Sequence, residues 1–276
     1  MPESPEVQAL AEFLGERMTG RAFTAVDVIE PRIVKMRQRP PAEVQGAPVA
    51  SVTRRGKHLG ILLGARWLVV SFGRNGWVRW HPPGAADAGD DPSAPAVPVV
   101  ATFVLDDGAR VDLVETGDFL AVGIWVVDAL EEVPAIATLG PDPLAAEFTA
   151  DDLDRALGTR RKQVKALLQE QRSLAGIGNA YSDEILHRAR IAPTVHAVAL
   201  GAEERDRLFR ATTTVLRDAV EQRRGLAPTQ LKPAKVAAMA VHGRGGQECP
   251  VCGDTIVDHV FSGASAQLCP TCQASP

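Results

Sequence analysis

The sequence lacks any long hydrophobic run, and no apolar stretch approaches the roughly 18 residues that suggest a membrane-spanning helix. Its first residues also lack the succession of basic, apolar and cleavage-site segments that marks a secretory signal peptide. Cysteine is absent before Cys249, and all four cysteines fall in the last 28 residues. This excludes a disulfide framework spread through the chain. Together these absences predict a cytoplasmic protein.

The chain also lacks a strong excess of basic residues. Its formal net charge is −4, with 13 basic and 20 acidic side chains in residues 1–150 but 17 basic and 14 acidic ones in residues 151–276. Such a charge will not steer a polyanion strongly, although a local basic face can still bind phosphates. The length of 276 residues favours two domains, and 45% hydrophobic and 23% charged residues are ordinary for a globular protein.

Apolar periodicity is helical in residues 3–19, which predicts an amphipathic helix there. Between residues 23 and 120 the pattern changes to short runs separated by breaks rich in Gly, Pro and Asp, which predicts a β-sandwich. The predicted strands are residues 23–29, 48–54, 58–63, 66–71, 76–80, 99–105 and 110–114. The low-complexity segment 82–98 is predicted to be a mobile surface loop.

Residues 133–145, rich in Pro and Gly, are predicted to be a linker, and the periodicity beyond them is helical. The fold class is therefore α+β with two domains. We expect a β-sandwich domain over residues 1–132, a helical domain over 146–240 and a small cysteine-containing segment over 241–276. The predicted helices are residues 151–157, 161–170, 182–189 and 202–223.

The cysteine spacing is the most specific signal in the chain. Cys249, Cys252, Cys269 and Cys272 follow the pattern of two Cys-x-x-Cys pairs separated by 16 residues, which is typical of a zinc site. Four thiolates would hold Zn²⁺ tetrahedrally with no open position. The predicted cofactor is thus a structural zinc ion that stabilises a segment too small to fold alone.

The first six residues, Met-Pro-Glu-Ser-Pro-Glu, suggest a nucleophile. Removal of Met1 would leave Pro2 as a free secondary amine, and an α-amino group titrates at roughly 7.7–8, so much of it is nucleophilic near neutral pH. Such amines form Schiff bases with carbonyl carbons, and the neighbouring Glu3 could shuttle protons. Alternatively, Pro2 only begins a helix whose N-terminal dipole Glu3 and Glu6 complement.

Two turns in the β-rich half are candidates for DNA contact. Residues 54–57, Arg-Arg-Gly-Lys, lie between two predicted strands and could present Lys57 to a phosphate or an anionic intermediate. Residues 71–76 form a turn whose tip, Arg74, could enter a duplex. Each is also compatible with an ordinary solvated turn.

A third turn lies in the helical half, where Gly176 and Gly178 flank one apolar residue and Asn179 and Tyr181 follow. Two such glycines permit a tight turn with free backbone N–H groups at a helix N-terminus, which suits a phosphate. Taken alone, this turn is also compatible with a purely structural role.

These features in this order resemble the formamidopyrimidine-DNA glycosylase and endonuclease VIII family of base-excision repair. The resemblance covers essentially the whole chain. It rests on the N-terminal Met-Pro-Glu-x-Pro-Glu-Val, the Arg-Arg-Gly-Lys turn, Gly-x-Gly-Asn-x-Tyr and the final Cys-Pro-x-Cys-Gln. It implies a β-sandwich, a helix–two-turn–helix domain and a zinc finger, in a monomeric, nucleoid-associated enzyme that acts on DNA with a damaged base or abasic site.

The family's roles transfer to matching positions here. Pro2 would attack C1′ of the damaged nucleotide, Glu3 would protonate the sugar, and Glu6 would support the N-terminal helix. Lys57 would grip a phosphate near a nucleotide flipped out of the duplex. Asn179 would hold the backbone of the kinked strand, with Gly176, Gly178 and Tyr181 in the same DNA-binding motif. The resemblance implies base excision followed by β- and δ-elimination.

The chain departs from the family in the residues that search for and clamp the lesion. Ala264 replaces the arginine usually found on the zinc hairpin, which removes a charge-assisted phosphate contact. Arg74 stands where a void-filling hydrophobic residue is expected. Residues 115–119, Glu-Thr-Gly-Asp-Phe, lack the arginines of the loop that probes the opposite strand and leave Phe119 as a possible wedge.

These departures predict an enzyme with altered recognition that discriminates poorly for 8-oxoguanine opposite cytosine. Arg74 could instead serve an oxidised pyrimidine, a bulky adduct or single-stranded DNA. A second hypothesis is a lesion- or DNA-structure-binding protein with little catalysis. A third is a zinc-ribbon protein that works in a complex, with an incidental N-terminal match.

Overall fold

The computed structural model describes residues 2–85, 97–261 and 264–274. These fall into two compact units that do not follow the chain strictly in order. The first contains Pro2, Glu6–Ala137 and Arg223–Lys232, and the second contains Glu3–Pro5, Thr138–Gln222 and the residues from Pro233 onward. Most of the predicted 82–98 loop, residues 86–96, lies outside the described residues.

The first unit is a β-sandwich with one long helix. Two antiparallel four-stranded sheets have the orders β1-β6-β7-β5 and β2-β3-β4-β8, which confirms the predicted sandwich. Strand β8 was not predicted. The elements are α1 (Ser4–Met18), β1 (Phe23–Val28), β2 (Val49–Arg55), β3 (His58–Leu63), β4 (Arg66–Ser71), β5 (Gly76–His81), β6 (Val99–Leu105), β7 (Arg110–Glu115), β8 (Gly123–Val127) and α2 (Pro134–Ala137).

Helix α1 belongs to the core of this unit. Its apolar stripe at positions 7, 10, 14 and 18 is fully buried, together with inward-facing residues of both sheets. Removal of this apolar surface from water is the main favourable contribution to the stability of the unit. It also fixes the chain directly after the N-terminal residues.

The second unit is helical and ends in a β-hairpin. Its elements are α3 (Ala150–Leu157), α4 (Val164–Gln169), α5 (Asn179–Ala189), α6 (Ala202–Glu221), the end of α7 (Pro228–Ala238), β9 (Val257–Phe261) and β10 (Ala264–Leu268). Four of these correspond to the predicted helices, but α5 begins three residues earlier than expected. Helix α7 was not predicted, and α2 lies within the segment predicted to be a linker.

Hydrophobic packing in the second unit centres on α5, where Tyr181, Ile185 and Leu186 are almost completely buried. Thr149 caps α3 in a capping box with Asp152, and Arg190 ends α5 in the left-handed conformation. Among the described residues, no helix is long and apolar enough to cross a membrane.

Candidate functional site

The carboxylate of Glu3 lies at the N-terminus of α5, within the second unit. It accepts hydrogen bonds from the backbone N–H groups of Gly178 and Ala180, the latter at 3.0 Å. Glu3 is only 2% exposed. A negative charge at the first turn of a helix is favoured by the helix dipole and by the amides that lack a partner in the helix. The side chain is therefore fixed in position and almost inaccessible to bulk water.

The two glycines of the Gly-Ile-Gly turn make room for this carboxylate. A Cβ atom on Gly178 would lie 2.6 Å from Cδ of Glu3, and one on Gly176 would lie 2.5 Å from Cβ of Ser4. Gly176 also has a φ of +88°, a conformation that favours glycine. The glycines are thus explained by the close approach of residues 3 and 4.

The prediction of free amides in this turn needs correction. The N–H of Gly178 is bound by Glu3, and the N–H of Gly176 donates to Oε1 of Gln171 at 2.9 Å. Tyr181, expected among the DNA contacts, is only 1% exposed. Gly176, Gly178 and Tyr181 are buried because the turn receives the carboxylate of Glu3. We interpret these three residues as structural supports of Glu3.

Asn179, in contrast, is half-buried and positioned by α4. Nε2 of Gln169 donates to Oδ1 of Asn179 at 3.0 Å and to Oγ of Ser182 at 3.0 Å. This orients the side-chain amide of Asn179 so that its NH₂ group is the remaining donor. The arrangement suits a contact with a phosphate oxygen.

A lysine that belongs to no sequence motif also lies beside Glu3. Nζ of Lys235, on α7, lies 3.4 Å from Oε1 of Glu3 and 4.7 Å from the centre of the Tyr181 ring. A second buried lysine, Lys165, forms an ion pair with Asp183. Burial lowers the pKa of Lys165, and the charge and hydrogen bond of Asp183 oppose that shift.

Pro2 and Glu6 belong to the first unit. Pro2 is half-buried and directly precedes Glu3. Oε1 of Glu6 lies 3.3 Å from Nε of Arg223, and both side chains are nearly inaccessible. Removal of either partner would weaken the charge compensation of the other, which is buried. Arg223 is a structural partner that no sequence motif identified.

Lys57 occupies a two-residue turn between β2 and β3. The turn requires Gly56, whose φ is +56°. Arg54 is buried and fixes the turn, because its Nη1 donates to the carbonyl of Gly56 and its Nε donates to Oε1 of Gln8, both at 3.0 Å. The two arginines therefore differ in burial, since Arg54 is buried and Arg55 is exposed. The turn holds Lys57 in a half-buried position.

The turns that carry Arg74 and Phe119 lie side by side in the first unit. The N–H and the hydroxyl of Thr116 both donate to the carbonyl of Asn75, at 3.3 and 3.0 Å. Arg74 is exposed, and Phe119 is 84% exposed. An aromatic side chain this exposed is available to contact a binding partner.

Glu115 gives the Phe119 loop its shape. Its carboxylate is 5% exposed and accepts hydrogen bonds from the N–H groups of Gly117, at 3.2 Å, and Ala121, at 3.0 Å. The first residue of Glu-Thr-Gly-Asp-Phe is thus a scaffold for the loop. Its role was missed because nothing in the local sequence distinguishes it from a solvated loop carboxylate.

The four cysteines lie together beside β9 and β10. All four Sγ atoms lie within 4.8 Å of one another, and tetrahedral Zn–S bonds of about 2.3 Å separate the sulfurs by about 3.8 Å. The donor set therefore fits a structural zinc ion. Nε2 of His187 lies 3.4 Å from Sγ of Cys249, and an N–H donor to a thiolate ligand stabilises its charge. Ala264, the position of the missing arginine, begins β10.

This combination of a β-sandwich, a helical unit with a carboxylate-capped α5 and a four-cysteine hairpin defines a helix–two-turn–helix protein with a C-terminal zinc finger. Three family models match in this order: the formamidopyrimidine-DNA glycosylase N-terminal domain over residues 1–122, the formamidopyrimidine-DNA glycosylase H2TH domain over 139–230, and the zinc finger found in FPG and IleRS over 246–274. The chain belongs to the formamidopyrimidine-DNA glycosylase family, which confirms the resemblance seen in the sequence.

Similar proteins match over their full length. The formamidopyrimidine-DNA glycosylase of Pelotomaculum thermopropionicum is 32% identical, with 99% of both chains covered, and that of Laribacter hongkongensis is 34% identical, with 99% and 100% covered. The crystal structure of the MutM (Fpg) protein from Thermus thermophilus has a TM-score of 0.81 at 31% identity and covers both chains fully. Lactococcus lactis Fpg in complex with abasic-site DNA shares the fold, with a TM-score of 0.82 at 22% identity and 99% and 100% coverage.

Proposed function

We propose that this protein is a DNA glycosylase with AP lyase activity that works through a Schiff base on Pro2. The observation that carries the proposal is the buried carboxylate of Glu3, which directly follows Pro2 and is held by two backbone amides and a lysine. A protein that only binds DNA needs no such carboxylate beside an N-terminal amine. The matches to glycosylases over the whole chain support the same interpretation.

In this proposal Pro2 is the catalytic nucleophile and Glu3 moves its proton. The amine nitrogen attacks C1′, and the bond between C1′ and the base breaks with its electron pair on the base. Glu3 takes the proton from the amine and passes it to the ring oxygen, so the sugar opens and an iminium forms. Loss of a C2′ proton then expels the 3′ phosphate, and a second elimination expels the 5′ phosphate.

DNA binding is assigned to residues of both units. C1′ is inaccessible in a stacked duplex, so the nucleotide must flip. Lys57 and Asn179 would contact phosphates, and Phe119 and Arg74 would enter the duplex where the nucleotide leaves it. The protein would act as a monomer on chromosomal DNA, which agrees with the cytoplasmic, nucleoid-associated location expected from the sequence.

We further propose poor discrimination of 8-oxoguanine opposite cytosine. The support is the sequence at two positions: Ala264 lacks a cation, and the loop of Phe119 has no arginine. The same observation favours the second candidate, a lesion-binding protein with little catalysis. The two candidate functions differ in that only the enzyme would form a covalent bond with DNA.

The experiment is borohydride trapping on DNA with one abasic site. We expect the wild type to give a covalent adduct, and Pro2→Gly and an N-terminally extended form to give none. Mass spectrometry of the wild type should find Pro2 as the first residue. If the protein binds the DNA without any adduct, the enzyme proposal falls and the binding protein replaces it. Robust excision of 8-oxoguanine from its pair with cytosine would overturn the specificity proposal alone.

A further inference from the structure

The second unit contains a cation that the proposed mechanism does not use. Lys235 lies in the last turns of α7, and its side chain is only 11% exposed. Lysine is rarely buried to this extent unless it is paired, and Nζ of Lys235 is paired with Glu3 at 3.4 Å. The ring of Tyr181 lies below the ammonium group and adds a cation–π contact. Lys235 is therefore held in place against Glu3 from two sides.

At least three hydrogen-bond donors surround the Glu3 carboxylate. Two are the amides of Gly178 and Ala180, and the third is the Lys235 ammonium group. Such surroundings stabilise an ionised carboxylate over a protonated one. Lys165 also interacts electrostatically with Glu3, but it forms a direct ion pair with Asp183, whose opposite charge offsets its effect. Lys235 thus contributes a positive charge directed at Glu3 itself.

We infer that Lys235 is a positioning residue that holds the Glu3 carboxylate ionised and correctly oriented for proton transfer from Pro2. The inference rests on the proposed function, in which Glu3 must accept a proton from the amine of Pro2. A carboxylate that is already protonated cannot do so. Loss of the Lys235 charge would leave the Glu3 carboxylate less stabilised, so the rate relative to the wild type would fall further as the pH decreases.

The test compares variants of Lys235 in single-turnover cleavage of abasic-site DNA at saturating protein, from pH 5 to pH 9. Lys235→Met removes the charge and the hydrogen bond, Lys235→Gln removes the charge but keeps a donor, and Lys235→Arg keeps the charge. Lys232→Met, an exposed position earlier on the same helix, is the matched control for loss of a lysine. Thermal unfolding at each pH identifies any variant that fails to fold.

We expect the rate of Lys235→Met and Lys235→Gln, divided by that of the wild type at the same pH, to decrease as the pH falls from 8 to 5. The ratio should be about twofold lower at pH 5 than at pH 8, and it removes the protonation of the Pro2 amine, which slows every variant alike at acidic pH. Lys235→Arg should have nearly the same dependence of rate on pH as the wild type. Lys232→Met should have the same dependence as the wild type. If Lys235→Met does not fold, the glutamine and arginine variants decide the question.

The outcomes separate the two proposals. If the wild type forms an adduct but the Lys235→Gln profile coincides with that of the wild type, the inference is wrong and the proposed function stands. An equal loss at every pH would show a structural role only. An adduct in the N-terminally extended form that disappears with Lys235→Met would make Lys235 itself the nucleophile. If the wild type forms no adduct, both proposals fall.

Discussion

The carboxylate of Glu3 accepts a hydrogen bond from the backbone N–H of Ala180, a residue 177 positions further along the chain. This bond joins the N-terminal motif to the helix–two-turn–helix motif within one compact unit. The two motifs are far apart in the sequence, but the backbone of one holds the Glu3 carboxylate of the other. The position of the Glu3 carboxylate therefore depends on the backbone of residues 178 and 180, and residue 178 must leave space for that carboxylate.

The first prediction concerns the space for this carboxylate. Gly178→Ala should lower the single-turnover rate on abasic-site DNA about tenfold or more, because the new Cβ would lie 2.6 Å from Cδ of Glu3 and displace it. The backbone of Gly178 has a φ of −128°, which alanine tolerates. Gly201→Ala is the matched control, since Gly201 also caps a helix but its Cβ would meet nothing closer than 3.8 Å. Equal rates for the two variants would contradict the assignment.

The second prediction concerns Phe119. Phe119→Ala should weaken binding to abasic-site duplex by about 1–2 kcal/mol, as expected when an apolar wedge between bases is removed. The free energy of unfolding should barely change, because the side chain is 84% exposed. Fluorescence anisotropy titration measures the affinity. Val198→Ala, an exposed apolar residue elsewhere, should leave both quantities unchanged, and an unchanged affinity in Phe119→Ala would exclude the wedge.

The third prediction concerns zinc. Chelation should unfold the hairpin of β9 and β10 and abolish DNA binding, because a structural zinc site contributes directly to folding. His187→Asn should weaken zinc retention about 10- to 100-fold in competition with a colorimetric chelator, since the N–H donor to Cys249 would be lost. Arg188→Asn, the exposed neighbour, should retain zinc like the wild type. Equal retention in both variants would show that His187 only packs there.

The fourth prediction concerns pH and His58. Burial lowers the pKa of His58, which packs edge-on against Trp125, below its ordinary value. Its protonation is therefore easier in the unfolded chain, so stability is complete above about pH 6.5 and falls as the pH decreases below it. His58→Gln should reduce this fall in melting temperature between pH 7.5 and 5.5. His196→Gln, an exposed histidine, should not reduce it.

The sequence was sufficient where local chemistry determines structure. The four cysteines predict their cluster because the spacing within each pair brings two sulfurs together on one turn. The alternation of short apolar runs predicts the sandwich because side chains on a strand alternate between faces. Strand β8 was missed because its sequence, Gly-Ile-Trp-Val-Val, is continuously apolar and shows no alternation.

The remaining features depend on long-range contacts. Helix α7 contains Pro233 in its interior, which disfavours a helix when the sequence is considered alone. Lys235 shares no motif with Glu3, and only the folded chain brings them together across 232 residues. The glycines at 176 and 178 were correctly recognised as a turn, but the occupant of that turn is a side chain of the same protein.

The contacts of Glu3 also constrain when the protein can first act. The N-terminal amine emerges from the ribosome before any other part of the chain. The groups that hold Glu3 belong to residues 178, 180 and 235, which all lie in the second half of the 276-residue chain. Domains fold as units during synthesis, and long-range pairs form only after both partners exist. If Pro2 is the nucleophile, as proposed, a nascent chain carries it without the complete carboxylate arrangement at least until Lys235 has been made.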